Sequence, residues 1–134
     1  MCIAAIVYLR QLSSLISEPW LALDDFNATL STEECVGCAS LSRPYQDFIA
    51  AVFDTELHDI VFQGPTCTWY RANCAVRLGR CFCNVHWLEA SPNSIVHHLI
   101  RMKSDHRPLL VSLGRSFSHS KQPEFYIDTK TLAA

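Results

Sequence analysis

Charge is scarce in this sequence: only 18% of its 134 residues are Asp, Glu, Lys or Arg, against 49% hydrophobic ones. A composition this apolar excludes a disordered chain and favours one globular domain with a real core. At this length roughly two thirds of the unfolded surface can be buried, so a core can hold without covalent staples. Long apolar runs are missing too. No segment approaches the roughly 20 residues of a membrane-spanning helix. The short apolar run after Met1 has no basic residue ahead of it and is followed by Arg10, unlike a secretory signal. These absences predict an intracellular protein, nuclear or cytoplasmic, with no membrane partner. There is no internal repeat and no low-complexity tract. G-x-S-x-G, the P-loop, G-x-G-x-x-G and H-E-x-x-H are all absent, which removes the familiar nucleophile, nucleotide and zinc-protease templates.

What charge there is lies unevenly. Residues 1–60 carry nine acids and two bases, and residues 61–134 carry four acids and nine bases. Arg71, Arg77, Arg80, Arg101, Lys103 and Arg107 sit close to aromatic residues, a pattern that attracts phosphate esters where it forms a surface. Cysteine, at seven residues, is plentiful and odd in number. Without a secretory signal the expected state is reduced thiol. Cys35 and Cys38 form a C-x2-C pair that Cys81 and Cys83 would complete as a zinc module. C-x-C is poor knuckle spacing, and Cys67, Cys81 and Cys83 read better as small apolar residues in or beside strands.

Periodicity predicts a helix over 2–17, with Ile6, Leu9, Leu12, Leu15 and Ile16 on one face. Glu18-Pro19 ends it, since the residue before proline avoids the helical region. "WLAL" is a short buried-type strand, and loop chemistry runs from Asn27 to Ser42. "RPYQDFIAAVFDTEL" is a second amphipathic helix presenting Tyr45, Phe48, Ile49, Val52 and Phe53 inward. "DIVF" and "TCTWY" are strands about a Gln63-Gly64-Pro65 turn, and "AVRLGRCFC" is one strand interrupted at Gly79. A helical turn at "VHWLEA" precedes the strands "SIVHHLI" and "PLLVSL". Residues 114–134 read as a mobile tail. Helix, strand, helix and then several strands amount to layered α/β or α+β packing. The opening helix has little early sheet on which to pack.

Two clusters carry candidate chemistry. Asp24, Asp25 and Asn27 sit where a buried strand emerges, the end of a sheet where open α/β folds bind ligands. Carboxylates there hold a divalent metal or orient a water, and a carboxamide donates to phosphate oxygen, although Asp and Asn are also ordinary turn residues. Asp105 and His106 form a second cluster at a loop–strand junction, pairing an oxygen ligand with a titratable imidazole. His97 and His98 are adjacent in a strand, point to opposite faces and read as structural.

Taken in order, "EPWLALDDFNATLS", "RPYQDFIAAVFDTELHDIVFQGPTCTWYR", "VRLGRCFCNVHW" and "SDHRPLLVSL" resemble the second half of the endonuclease/exonuclease/phosphatase domain. The version they most resemble belongs to plant LINE-type non-LTR retrotransposons, where it precedes a reverse transcriptase. The resemblance runs from about residue 4 to residue 113 and rests on the D-F-N turn, the G-P-x-x-T-W hairpin and the S-D-H loop. It implies part of a four-layer α/β sandwich, with residues 1–113 as the C-terminal half of the domain. It also implies Mg²⁺- or Mn²⁺-dependent phosphodiester hydrolysis on DNA. Asp25 would orient or deprotonate the attacking water and Asn27 would bind the scissile phosphate. Asp105, with Asp25 as second candidate, would hold the metal, and His106 would contact phosphate oxygens.

Three departures qualify that expectation. Asp24 stands where the family has glycine, and Gly79 stands where it has the aspartate that orients the histidine. The family's metal-binding glutamate and second phosphate-binding asparagine have no counterpart among these residues. The expectation is therefore a catalytically impaired fragment, needing its first half or the reverse transcriptase on another chain. The alternatives are a non-catalytic remnant that binds nucleic acid weakly, or the zinc module. If half a sandwich is missing, apolar surface is predicted on the opening helix and on the strands around Trp20 and Leu109 to Leu113.

Overall fold

The computed structural model describes residues 2–38, 45–114 and 125–127. Among the described residues three α-helices, α1 (Cys2–Leu15), α2 (Gln46–Asp54) and α3 (Val85–Ala90), and a 3-10 turn at Thr32–Glu34 accompany ten short strands. In chain order these are β1 (Leu21–Asp25), β2 (Cys35–Val36), β3 (His58–Asp59), β4 (Phe62–Gln63), β5 (Trp69–Arg71), β6 (Cys74–Val76), β7 (Gly79–Cys83), β8 (Ile95–His98), β9 (Leu109–Ser112) and β10 (Phe125–Ile127). The mixed α and β content agrees with the sequence at that coarse level.

The strands form three sheets, ordered β1-β7-β3, β10-β9-β8-β4 and β2-β6-β5. All pairings are antiparallel except β4 with β8. Strand β7 separates two cores by simple alternation. Phe82 points to a cluster with Leu9, Trp20, Phe26, Ala28, Phe48 and Leu57 beneath α1 and α2. Cys81 and Cys83 point the other way, to Ile60, Val96, Leu109, Val111 and Leu113 of the second sheet. Helices, first sheet and second sheet thus stack as successive layers. Phe26, Phe48 and Phe82 anchor the first core as a mutually packed trio with ring centroids 5.1–5.7 Å apart. Such aromatic pairs are worth about 0.5–1.5 kcal/mol each beyond burial. Asn84 fastens α3 to the entry of β1: its Oδ1 accepts from the N–H groups of Trp87 and Trp20, and its Nδ2 donates to the Glu18 carbonyl.

Several expectations are corrected. The run "DIVF" divides between two sheets, with β3 on β7 and β4 on β8, because the chain crosses over at Ile60 and Val61. Gln63-Gly64-Pro65 therefore joins no hairpin: β4 and β5 lie in different sheets. "AVRLGRCFC" likewise splits at Arg77-Leu78 into β6 and β7, and Gly79 opens a strand. On the helices, Leu15 and Phe53 face outward although periodicity placed them inward, and Tyr45 is exposed ahead of α2.

Trp20, Leu109 and Leu113 are buried, so the strands predicted to be bare are covered. Helix α1 also finds a partner: Leu9 enters the first core and Arg10 pairs with Asp54 of α2 at 3.3 Å. Exposed apolar side chains do occur on α1, at Ile3, Val7, Tyr8 and Leu15, and also away from it, at Val36, Phe53, Val61, Ile100 and Met102. Of the stretch read as a tail, Gly114 and β10, which pairs with β9, are described; residues 115–124 and 128–134 lie outside the described residues. So do residues 39–44, on which part of the Asn27–Ser42 loop and the start of the second predicted helix fall.

Candidate active site

Strand β1 alternates Leu21, Leu23 and Asp25 toward the second sheet, with Ala22 on the opposite side. Asp25 is the last member of the inner row and sits directly opposite Gly79. At a buried strand end the backbone must turn, and the carboxylate takes part: Asp25 Oδ1 accepts from the Asn27 N–H at 2.9 Å. Asn27 adopts φ 52°, left-handed backbone that asparagine tolerates better than most residues. The turn reading of this stretch thus holds on Oδ1 of Asp25.

The other oxygen points at His106. Asp25 Oδ2 lies 3.3 Å from His106 Nδ1. That contact has ion-pair distance but not hydrogen-bond geometry, and Oδ2 is buried without a hydrogen-bond partner. Burial is the main cause that raises the Asp25 carboxyl above its ordinary value, outweighing the Asn27 N–H and the charge of His106. Asp24, on the opposite side of the strand, is also raised, chiefly by burial. Its Oδ1 accepts from the Asp25 N–H at 2.7 Å, so its carboxylate braces the turn.

His106 is fixed by its own loop. Residues 68–70 and 105–107 are zipped together: Asp105 accepts from the Tyr70 N–H, Thr68 accepts from the Arg107 N–H, and Trp69 bridges to His106. The His106 N–H donates to Ser104 Oγ. On the far side of the ring, Nε2 is 4.0 Å from Asp105 Oδ1. The structure thus brings Asp25, Asp105 and His106 together, well inside the roughly 8 Å expected for groups sharing one phosphate, and sets exposed Asn27 two residues beyond Asp25.

Gly79, opposite Asp25, stands in a space with little room for a side chain. A Cβ on Gly79 would lie 2.8 Å from Leu109 Cδ1 and 3.4 Å from Thr68 Oγ1, so Leu109 fills the space a larger residue would need. Thr68 Oγ1 also accepts from the N–H groups of Leu78 and Gly79. The acids beside the His106 ring are Asp25 and Asp105. Thr68 is a positioning residue that the sequence did not mark; a threonine before "WY" carries no signal of pairing with a distant strand.

The basic half is only partly a surface. Arg77 and Arg80 are buried and ion-paired with Glu34 and Asp59, which corrects their inclusion among phosphate-attracting residues. Arg101 and Arg107 instead lie over the Tyr70 ring, 4.7 and 5.1 Å from its centroid. Arg101, Lys103, Ser104 and Asp105 line an open depression of about 550 Å³ beside His106. His98 is structural as expected: it is buried, stacks on Phe62 and donates from Nδ1 to the Pro65 carbonyl at 2.6 Å.

The donor set fits Mg²⁺ poorly. That ion takes oxygens in near-octahedral order, yet Asp25 Oδ1 is engaged by an N–H and Oδ2 is sealed against His106. Asp105 is exposed and Asp24 is half-buried, while Asp25 is buried. Among the described residues, the cluster of three metal-capable side chains that does converge is Cys35, Cys38 and Cys74, which offer soft sulfur donors.

No protein-family model and no curated protein matches this chain. No described helix is long and apolar enough to cross a membrane.

Proposed function

We propose that this chain is a nucleic-acid phosphodiester site of endonuclease/exonuclease/phosphatase ancestry, retroelement-like in type, whose hydrolysis is impaired. The observation that carries the reading is the contact between buried Asp25 Oδ2 and His106 Nδ1 at 3.3 Å, where two loops meet at the ends of paired sheets. A carboxylate beside an imidazole, with Asn27 and Asp105 flanking, is the chemistry a phosphodiester needs: an oxygen base, a hydrogen-bonding group and a cationic contact. The stacked helix, sheet and sheet layers would then be part of a four-layer sandwich, and the DNA backbone would lie across Arg101, Lys103 and His106.

The same contact accounts for weak catalysis. A base that orients water must be reachable by water, and Asp25 Oδ2 has essentially no exposed surface. Asp25 has taken the place of the carboxylate that position 79 would supply, so one residue cannot both hold His106 and serve the attacking water. Mg²⁺ would need oxygens from the substrate phosphate and from a companion chain, such as a complementary half-domain or a reverse transcriptase. General acid–base help is typically worth 10²–10⁴-fold, so its loss alone takes cleavage toward the limit of detection.

The test has two arms on the full chain. Plasmid nicking with Mg²⁺ or Mn²⁺ is expected to stay at the level of the Asp25→Ala and His106→Ala variants. Binding to a short DNA duplex is expected to weaken with salt and to weaken further in Arg101→Ala. Metal-dependent nicking that both site variants abolish would overturn the impairment. Absence of salt-dependent binding would overturn the nucleic-acid reading.

A further inference from the structure

Three of the seven cysteines meet at a place the phosphodiester site does not use. Cys35 lies in β2, Cys74 opens β6, and these strands pair in antiparallel register. Between Cys35 and Cys38 the chain reverses at Gly37, whose φ of 75° and close approach to the Asn73 carbonyl leave no room for a side chain. The reversal brings Cys38 back onto Cys74, to which it is joined by a disulfide with a Cα–Cα separation of 4.9 Å. Cys35 stays free, yet its sulfur lies within 4.8 Å of both others.

A disulfide that merely ties β2 to β6 has no use for a third sulfur at the same point. The C-x2-C spacing, with a glycine turn between the cysteines and a third cysteine from a neighbouring strand, is the geometry of a zinc knuckle. Sulfurs bound to one tetrahedral zinc at about 2.3 Å sit roughly 3.8 Å apart. Cys35 Sγ, within 4.8 Å of both others, needs to close by about an ångström at most, and the Cys38 and Cys74 sulfurs must part from bonding distance by roughly 2 Å once the disulfide is broken. Expected partners from sequence, Cys81 and Cys83, lie instead in the core beneath the second sheet.

We propose that Cys35, Cys38 and Cys74 form a zinc site in the reduced protein, and that the Cys38–Cys74 disulfide is its metal-free oxidised form. A dithiol reductant passes two electrons and two protons to the disulfide, giving the Cys38 and Cys74 thiols and its own disulfide. Zinc then displaces the protons of the three thiols and binds three thiolates, leaving the fourth position to another donor such as water. Oxidation by hydrogen peroxide reverses this: the Cys38 and Cys74 thiolates give up two electrons and join, the peroxide takes those electrons and two protons from solvent to become two waters, and zinc leaves as the Cys35 thiolate takes up a proton. The site is independent of the phosphodiester reading and stands or falls without it.

The experiment titrates the full chain with Co²⁺ after reduction and exchange into a non-thiol reductant. About one Co²⁺ per chain is expected, with the thiolate charge-transfer band and strong visible bands of a tetrahedral site, all displaced by Zn²⁺. Treatment with peroxide should abolish the bands and renewed reduction should restore them, a cycle that needs no variant. Cys35→Ser should weaken zinc binding by more than the roughly 10–100-fold typical of losing an outer-sphere contact. A reduced chain without the charge-transfer band, or a Cys35→Ser variant of undiminished affinity, would overturn the proposal and leave a plain disulfide.

Discussion

Two clusters of charge are buried in this molecule, and they are built on opposite terms. In one, Arg80 is fully buried and donates to both oxygens of Glu34 and to Asp59, while Arg77 donates to the same two acids. Two cations meet two anions, and only the two Nε atoms lack partners. In the other, one buried carboxylate, Asp25, and one exposed carboxylate, Asp105, flank a single imidazole, and Asp25 Oδ2 is left without a hydrogen bond. Their acids respond accordingly. Burial pushes Glu34 up, but the hydrogen bond and charge of Arg80, with help from Leu30 N–H and Arg77, hold it below its ordinary value. Burial wins at Asp25, which is raised. A charge cluster that is matched serves the fold. One that is left short stores unfavourable energy in the fold.

The largest effect separating the two should come from breaking the matched cluster. Arg80→Leu leaves Glu34 buried beside Arg77 alone and is expected to cost about 3–5 kcal/mol by urea denaturation. A loss below about 1 kcal/mol would show that water reaches this network. Next is Gly79→Asp, the change that restores the acid the family resemblance expects. It must displace Leu109 and bury a second carboxylate opposite Asp25, so a loss of about 1–3 kcal/mol is expected with no gain in nicking. The Asp25→Asn background should soften that loss, because it removes the facing charge.

Asp25→Asn alone should stabilise the protein near pH 7 by on the order of 1 kcal/mol, as relief of a strained site commonly does. The sign follows from the raised carboxyl. Its contribution is full below the unfolded value of 3.8 and is lost as pH rises through the higher folded value, so the variant's advantage should vanish near pH 3. Glu34 runs the other way. Its contribution is present above 4.5 and is lost as pH falls through its depressed folded value, so Glu34→Gln should erase part of the acid sensitivity. The smallest structural effect belongs to Arg101→Ala, within about 0.5 kcal/mol in stability. On DNA that variant should reduce the salt slope by about 1.

The difference between the clusters also marks what could be read from the sequence. Asp25, Asp105 and His106 drew notice because acids and an imidazole at strand ends are chemically conspicuous, and the structure brings the three side chains together. Glu34, Asp59, Arg77 and Arg80 did not, since their partners are 18 to 46 residues apart and no local period links them. Helices α1 and α2 were legible from apolar spacing, but Leu15 and Phe53 were assigned to the wrong side because a helix this apolar offers more than one candidate face. Strand breaks at Val61 and Leu78 were hidden for a related reason: a chain that changes sheets stays apolar while it crosses. The cysteine trio was half visible. C-x2-C announced itself, while Cys74 joins it only through the register of β2 on β6.

Amide shift mapping of the isotopically labelled chain with an unlabelled DNA duplex tests the central claim most directly, because it reports on both clusters at once. The amides of Asp25, Asn27, Trp69, Arg101, Asp105 and His106 are expected to move on titration while those of Glu34, Asp59, Arg77 and Arg80 stay still, and added salt is expected to reverse the shifts. Shifts centred on the Glu34 network, or none at Asp25 and His106 at duplex concentrations that saturate binding, would contradict that claim.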